Sequence, residues 1–194
     1  MKLMLKGARC ETAKCPMERQ WRNSPPGMHT WRRGRPSEYC IRLREKQKVK
    51  RYYGTFERQF TRYFRMAERQ KANTGTALLG LLERRLDNVV YKLGFAASHA
   101  SARQTITHGH IYVNGRRVSA SSYMVQPGDK VAIKPSERSQ KLVRDRLEEL
   151  GEPHVQNWLQ LDMTKLEGQV VAMPARDDVM IPVSENLIVE LCSR

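Results

Sequence analysis

Guanidinium, ammonium, carboxamide and imidazole groups carry the chemistry available to this chain, and they suit holding a polyanion better than making or breaking bonds. From Arg32 to Arg51 nine basic residues stand against two acidic ones, and the excess runs on to Arg69. A second set, Ser98, His99, Arg103, Gln104 and His108, falls on one short stretch, followed by Asn114, Arg116 and Arg117 around an Asn-Gly pair. Such groups bond phosphate oxygens and ribose hydroxyls. No phosphate-cradling glycine loop, nucleophile–base pair or paired acids in an apolar setting accompanies them, so no enzyme is expected. His108 and His110, one glycine apart in a basic turn, read as RNA contacts or turn residues rather than proton-transfer groups.

The overall charge agrees. Among 194 residues, 35 Lys and Arg oppose 20 Asp and Glu, a formal net charge of +15. Self-repulsion of that size weakens a compact state unless a polyanion relieves it, and nucleic acid is the commonest such partner. The charge is also uneven. From Glu152 onward only Lys165, Arg176 and Arg194 are basic against seven acidic residues, so the excess sits in residues 1–151. No apolar run approaches the roughly 20 residues that span a bilayer, and the N-terminus lacks the apolar stretch of a secretory signal. Cys10, Cys15, Cys40 and Cys192 fit no small disulfide scaffold in a chain of this length, which points to a reducing cytoplasm.

The elements that must position these groups are an α+β set. Residues 1–36, rich in Pro, Gly, Arg and Trp, read as an extended basic arm. Ser37 is placed to cap a helix over Tyr39–Arg51, which Tyr52-Tyr53-Gly54 ends. A second helix, about Glu57–Lys71, puts Phe56, Phe60, Tyr63, Phe64 and Ala67 on one side, as core rather than as stacking platforms. A third begins at Thr74-Gly75-Thr76, carries Leu78, Leu79, Leu82, Leu86, Val89, Val90 and Leu93, and stops at Gly94. Ser98 caps a short helix to about His108. Asn114-Gly115 then joins two short strands as a hairpin, and Pro127-Gly128-Asp129 turns into a third, Lys130–Ile133. Glu137–Leu150 is a charged amphipathic helix stopped by Gly151. Beyond it Trp158–Leu161, Gln169–Met173 and Leu187–Leu191 read as short strands. The expected division is an arm (1–36), a helical body with C-terminal strands (37–81 plus 134–194) and an inserted helix–helix–β module (82–133).

Leu86–Tyr91 through Gly94-Phe95, Ala102-Arg103-Gln104, His108–Ile111, Val113–Arg116 and Pro127–Asp129 together resemble the S-four RNA-binding domain. Pro25–His29, Arg42–Lys48, Tyr53-Gly54, Glu57–Phe60 and the ending Asn186–Arg194 extend the likeness to the S-four family of bacterial small-subunit ribosomal proteins over nearly the whole chain. The resemblance implies a primary binder of 16S rRNA that nucleates assembly of the subunit body and contacts the S-five ribosomal protein, an interface tied to decoding accuracy. It implies rRNA contact by Lys46, Lys48, Lys50, Arg51, Arg58 and Arg62, besides the module's own Ser98, His99, Arg103, Gln104, His108, Asn114, Arg116 and Arg117. It places Arg32, Arg33 and Arg35 in a basic cluster lining the channel by which mRNA enters, and a protein contact near Tyr52, Tyr53, Glu190 and Leu191. The acidic C-terminal part would then face protein rather than RNA.

Many members of that family hold zinc through four N-terminal cysteines, the second pair spaced as Cys10 and Cys15 are. The chain begins at Met1 just before that pair, and a start assigned too far downstream would explain the absent first pair. Structural zinc wants four ligands, and two thiolates are half a site. Neither His29 nor Cys40 stands at a typical completing distance in sequence, so no cofactor is expected. Two rivals share the module. An RNA-modifying or aminoacylating enzyme would append a sizeable catalytic domain, for which the flanking residues offer no constellation. A free RNA chaperone of the heat-shock type is usually little more than the module and a basic tail, which residues 1–80 exceed.

Overall fold

A computed structural model describes residues 2–18, 27–28, 34–151 and 155–193. Behind a short 3-10 turn at Gly7–Cys10, helix α1 spans Glu38–Tyr52, α2 Glu57–Glu68, α3 Thr74–Glu83, α4 Leu86–Lys92 and α5 His99–Thr107. Strands β1 (Ile111–Val113), β2 (Arg116–Arg117) and β3 (Lys130–Ile133) follow, then α6 (Glu137–Leu150), β4 (Leu159–Asp162), β5 (Glu167–Val170) and α7 (Glu185–Cys192). The α+β class expected from the sequence holds. Ser37 caps α1 by accepting the Cys40 amide at 3.3 Å, and Asn73 caps α3 by accepting the amides of Gly75 and Thr76. Ser98 does the same for α5 from Ser101.

Three expectations change. The helix read as continuous from Thr74 to Leu93 is two, because the chain leaves the helical path at Arg84 and Arg85, where it and the free first-turn amides of α4 pair with another segment. The Arg84 carbonyl accepts the Val125 amide, and the amides of Leu86 and Asp87 donate to the carbonyls of Tyr123 and Ser121. All of Leu78, Leu79, Leu82, Leu86, Val89, Val90 and Leu93 are nonetheless buried, so the apolar period survives a break it cannot reveal. Leu187–Leu191, read as a strand, lies in α7, which packs on α1 and α3 with Ile188 fully enclosed. A largely apolar run this short fits either element, and docking against helices decides it.

The third change concerns the sheet. Its five antiparallel strands run in the order β2-β1-β3-β5-β4, with Val131 opposite Gly168 across β3 and β5. The strands at 159–170 therefore complete the module's sheet instead of joining the helical body. A Cβ on Gly168 would meet Leu93 at 2.4 Å, so the bare glycine lets α4 lie close on the sheet. One core gathers Leu86, Val90, Phe95, Ile106, Ile111, Val131, Val143, Trp158 and Val170. The other gathers Tyr53, Phe60, Phe64, Leu78, Leu82, Ile181 and Ile188. The module thus takes in α6, β4 and β5, and the body takes back only the chain from about Val179 onward.

Candidate RNA-binding surface

Two helices rich in basic residues differ in how much of that charge faces out. On α1, Lys46 and Lys50 lie one turn apart and both grip Glu57, at the start of α2, whose carboxyl they hold below the usual carboxylate range. Lys48 pairs with Glu45 at 2.5 Å and donates to the Pro182 carbonyl. Arg42 joins Glu38 and, at 2.6 Å, Glu190 on α7. Of the expected α1 cations, Arg51 alone is exposed without an ion pair among the described residues. Lys46, Lys48 and Lys50 are mainly spent within the protein.

On α2 the arrangement is opposite. Arg58 and Arg62 are exposed, and Arg65 and Arg69, which sequence reasoning passed over singly, extend them at intervals of four, three and four residues. At 100° per residue that spacing keeps all four on one stripe, about 16 Å long. The stripe walls a shallow groove with Glu57, Thr61 and Met66; the Glu57 carboxylate is taken by Lys46 and Lys50, and none of the four arginines forms an ion pair among the described residues. A smaller recess, lined by Arg62, Tyr63, Met66, Ser122 and Met124, carries the surface onto the loop before β3. The period of Arg58 and Arg62 was the signal that would have found the rest. Phe56, expected in the core, instead stands 76% exposed at the head of this helix, where its amide donates to Gln59 Oε1.

The module presents a second face. Gln104 and His108 are exposed on α5 and at its end, and Arg116 and Arg117 are exposed on β2. Arg117 folds back over Gly109, where a Cβ would lie 2.3 Å from its Nε, so that glycine brings the guanidinium beside the His108–His110 turn. Asn114, at φ +50°, is exposed but engaged: its amide donates to Asp129 at 2.8 Å and its oxygen accepts the Lys130 amide at 2.9 Å. Ser98 spends its hydroxyl as a helix cap.

His99 departs from its expected exposure. It is only 8% exposed, ringed by Tyr52, Tyr53 and Tyr91, and its Nε2 bonds Asn88 Oδ1 at 3.0 Å. Because the Asn88 amide donates to Glu83, its oxygen must accept from the ring, which places a proton on Nε2. Burial pushes its pKa down to about 4. An uncharged, enclosed ring offers no phosphate contact. Arg103 is also engaged: its Nε donates to Asp87 at 2.8 Å and its two terminal nitrogens to the carbonyls of Gly54 and Tyr53.

At the expected protein contact, Tyr52 and Tyr53 are buried, the latter donating its hydroxyl to Glu83, so neither ring is available to a partner. Glu190 is exposed in its pair with Arg42, and Leu191 is half-buried. Arg35 is exposed, while Arg32 and Arg33 lie outside the described residues. Cys10 and Cys15 are buried free thiols. Among the described residues no group of three His, Cys, Asp or Glu side chains converges on a metal position, and His29 lies outside that set. No described helix is long and apolar enough to cross a membrane.

Comparison with known proteins matches residues 1–83 to the family described as "Ribosomal protein S4/S9 N-terminal domain" and residues 84–131 to the "S4 domain". The junction between the two matches falls at the break between α3 and α4. Over 195 residues the chain is 51% identical to the small ribosomal subunit protein uS4 of Thermus thermophilus, covering 100% of this chain and 92% of that protein. It is 52% identical over 193 residues to uS4 of Halothermothrix orenii, and 52% over 194 to uS4A of Symbiobacterium thermophilum, with the same coverage. With a stripe of unanswered arginines beside an RNA-binding module, and half its residues shared end to end with these relatives, the chain belongs to the uS4 family of small ribosomal subunit proteins, which are structural and not enzymatic.

Proposed function

We propose that this protein is a primary binder of 16S rRNA, and that by docking early it nucleates assembly of the body of the small ribosomal subunit. The observation that carries the reading is the α2 stripe, Arg58, Arg62, Arg65 and Arg69, four guanidiniums in line with no internal partner among the described residues. Their spacing along the helix, alternately about 6 and 4.5 Å of rise, suits successive phosphates of one RNA strand. Gln104, His108, Arg116 and Arg117 on the module form a second contact surface. Together the two would read the shape of a folded RNA, with little dependence on base sequence.

The proposed contact with the S-five protein, and through it a part in decoding accuracy, falls to the exposed corner where α7 meets α1, around Glu190 and Leu191. Arg32, Arg33 and Arg35 are proposed to line the channel by which mRNA enters. Filter binding of the full chain to a 16S rRNA transcript across a salt series tests the central reading. The observed affinity should fall linearly on a log–log plot with a steep slope, as counterion release requires. Binding indifferent to salt would overturn it. Co-sedimentation with small subunits in cell extract separates a ribosomal role from that of a free chaperone.

A further inference from the structure

The two cores do not merge where body and module meet. Between them lies a buried ionic chain. Asp87 and Arg85 are each 1% exposed, and Arg85 grips both carboxylate oxygens of Asp87, at 3.0 and 2.7 Å. The remaining Arg85 nitrogen donates to the Tyr63 hydroxyl of α2 at 2.7 Å. From the other side Arg103 of α5 donates to Asp87, and its fork closes on the carbonyls of Tyr53 and Gly54 at the end of α1. The Tyr53 carbonyl caps α1 at the negative end of its helix dipole, which favours a cation. Gly54 is shaped for the closure: it sits at φ +58°, and a Cβ there would stand 2.8 Å from Arg103 Nη1.

Desolvating the Arg85 guanidinium and the Asp87 carboxylate, with Arg103 half-buried beside them, is costly, and well-packed apolar residues would stabilise the seam as well or better. Directional bonds do what apolar contact does not: they fix an angle. Here they fix the helix bearing the arginine stripe relative to the helix bearing Gln104 and His108. We propose that the Tyr63–Arg85–Asp87–Arg103 chain is an orienting joint, which holds the two cationic surfaces so that both engage one folded RNA at once. Arg103 is then a positioning residue, not a phosphate ligand. The gain is in effective concentration: with the first surface bound, the second is already in place.

This inference rests on the proposed rRNA binding. The test compares the full-length wild type with Arg103→Gln, Arg103→Lys and Gly54→Ala, measuring affinity for a 16S rRNA transcript over a salt series, with helix content checked by circular dichroism. Arg103→Gln should weaken binding about tenfold while leaving the slope of log affinity against log salt unchanged, since no phosphate contact is lost. Arg103→Lys, which keeps a bond to Asp87 but not the fork, should recover part of the loss. Gly54→Ala, which displaces the guanidinium without touching its charge, should reproduce the loss and add nothing when combined with Arg103→Gln. A slope reduced by about one unit would mark Arg103 as a phosphate ligand and overturn the joint. So would unchanged affinity in Arg103→Gln, or additive effects of the two substitutions. A wild-type chain that fails to bind would instead overturn the rRNA reading itself.

Discussion

Along α2, Arg58, Arg62, Arg65 and Arg69 stand in solvent with no ion pair among the described residues. At the seam between the cores, Arg85 and Arg103 meet Asp87, and Lys92 meets Glu83 at 2.5 Å as well as the Asp178 carbonyl. Burial pushes the Lys92 pKa down, against the pull of Glu83. The two regions use the same residue types to opposite ends. An exposed like-charged stripe stores repulsion that a polyanion relieves, while cations held against buried carboxylates add little to long-range attraction and serve geometry instead. Helix α1 lies between these extremes, its lysines half-buried and tied to Glu45 and Glu57. Counting cations along a chain therefore overstates its binding surface.

The comparison predicts a graded set of effects. Replacing all four stripe arginines by alanine should lower affinity for 16S rRNA by about a thousandfold at moderate salt and flatten the salt slope by about three units, with little change in folding stability. A variant that keeps the wild-type slope would show that α2 does not hold phosphates. Asp87→Ala should do the reverse, costing about 3–5 kcal/mol of stability in urea unfolding because two guanidiniums lose their buried counterion. A loss below about 1 kcal/mol would mean that the seam is wet.

His99 gives the seam a pH signature. The unfolded imidazole takes up a proton near its ordinary value of 6.5, whereas in the fold it resists protonation down to about 4. Between those values the unfolded chain binds more protons, so stability is complete above about pH 6.5 and falls as pH drops, by about 3 kcal/mol at pH 4. Urea midpoints measured from pH 7 to 4 should show this slope, and His99→Phe should flatten it. The smallest effect belongs to α1. Lys46→Ala and Lys50→Ala should each change rRNA affinity by less than about 1 kcal/mol, since an ammonium held by Glu57 has its charge largely answered already. A loss equal to that from Arg62→Ala, measured by the same filter binding, would erase the distinction between the two helices.

Much of the architecture was legible because it depends on local rules. Ser37 and Ser98 announced their helices, Asn114-Gly115 its hairpin, and the leucines from Leu78 to Leu93 a buried face. What failed shares one cause. His99, Tyr52 and Tyr53 looked like exposed binding groups, Phe56 like core, and Leu187–Leu191 like a strand, because each assignment needed to know what lies across from it. The same holds for β5, whose partner residues on β3 stand 35 to 39 positions back in the chain, and for β4, which joins the sheet only through β5.

The sequence by itself determined that this protein binds a polyanion and that its charge lies toward the N-terminal side, since net charge and its distribution need no coordinates. It also determined the element types wherever caps, turns and long apolar periods agree. The tertiary structure alone decided which cations remain free. Several of the salt bridges join side chains that the sequence does not align, as Lys46 finds Glu57 and Arg42 finds Glu190, and a cation's availability is whatever such contacts leave over. On α2 they leave four.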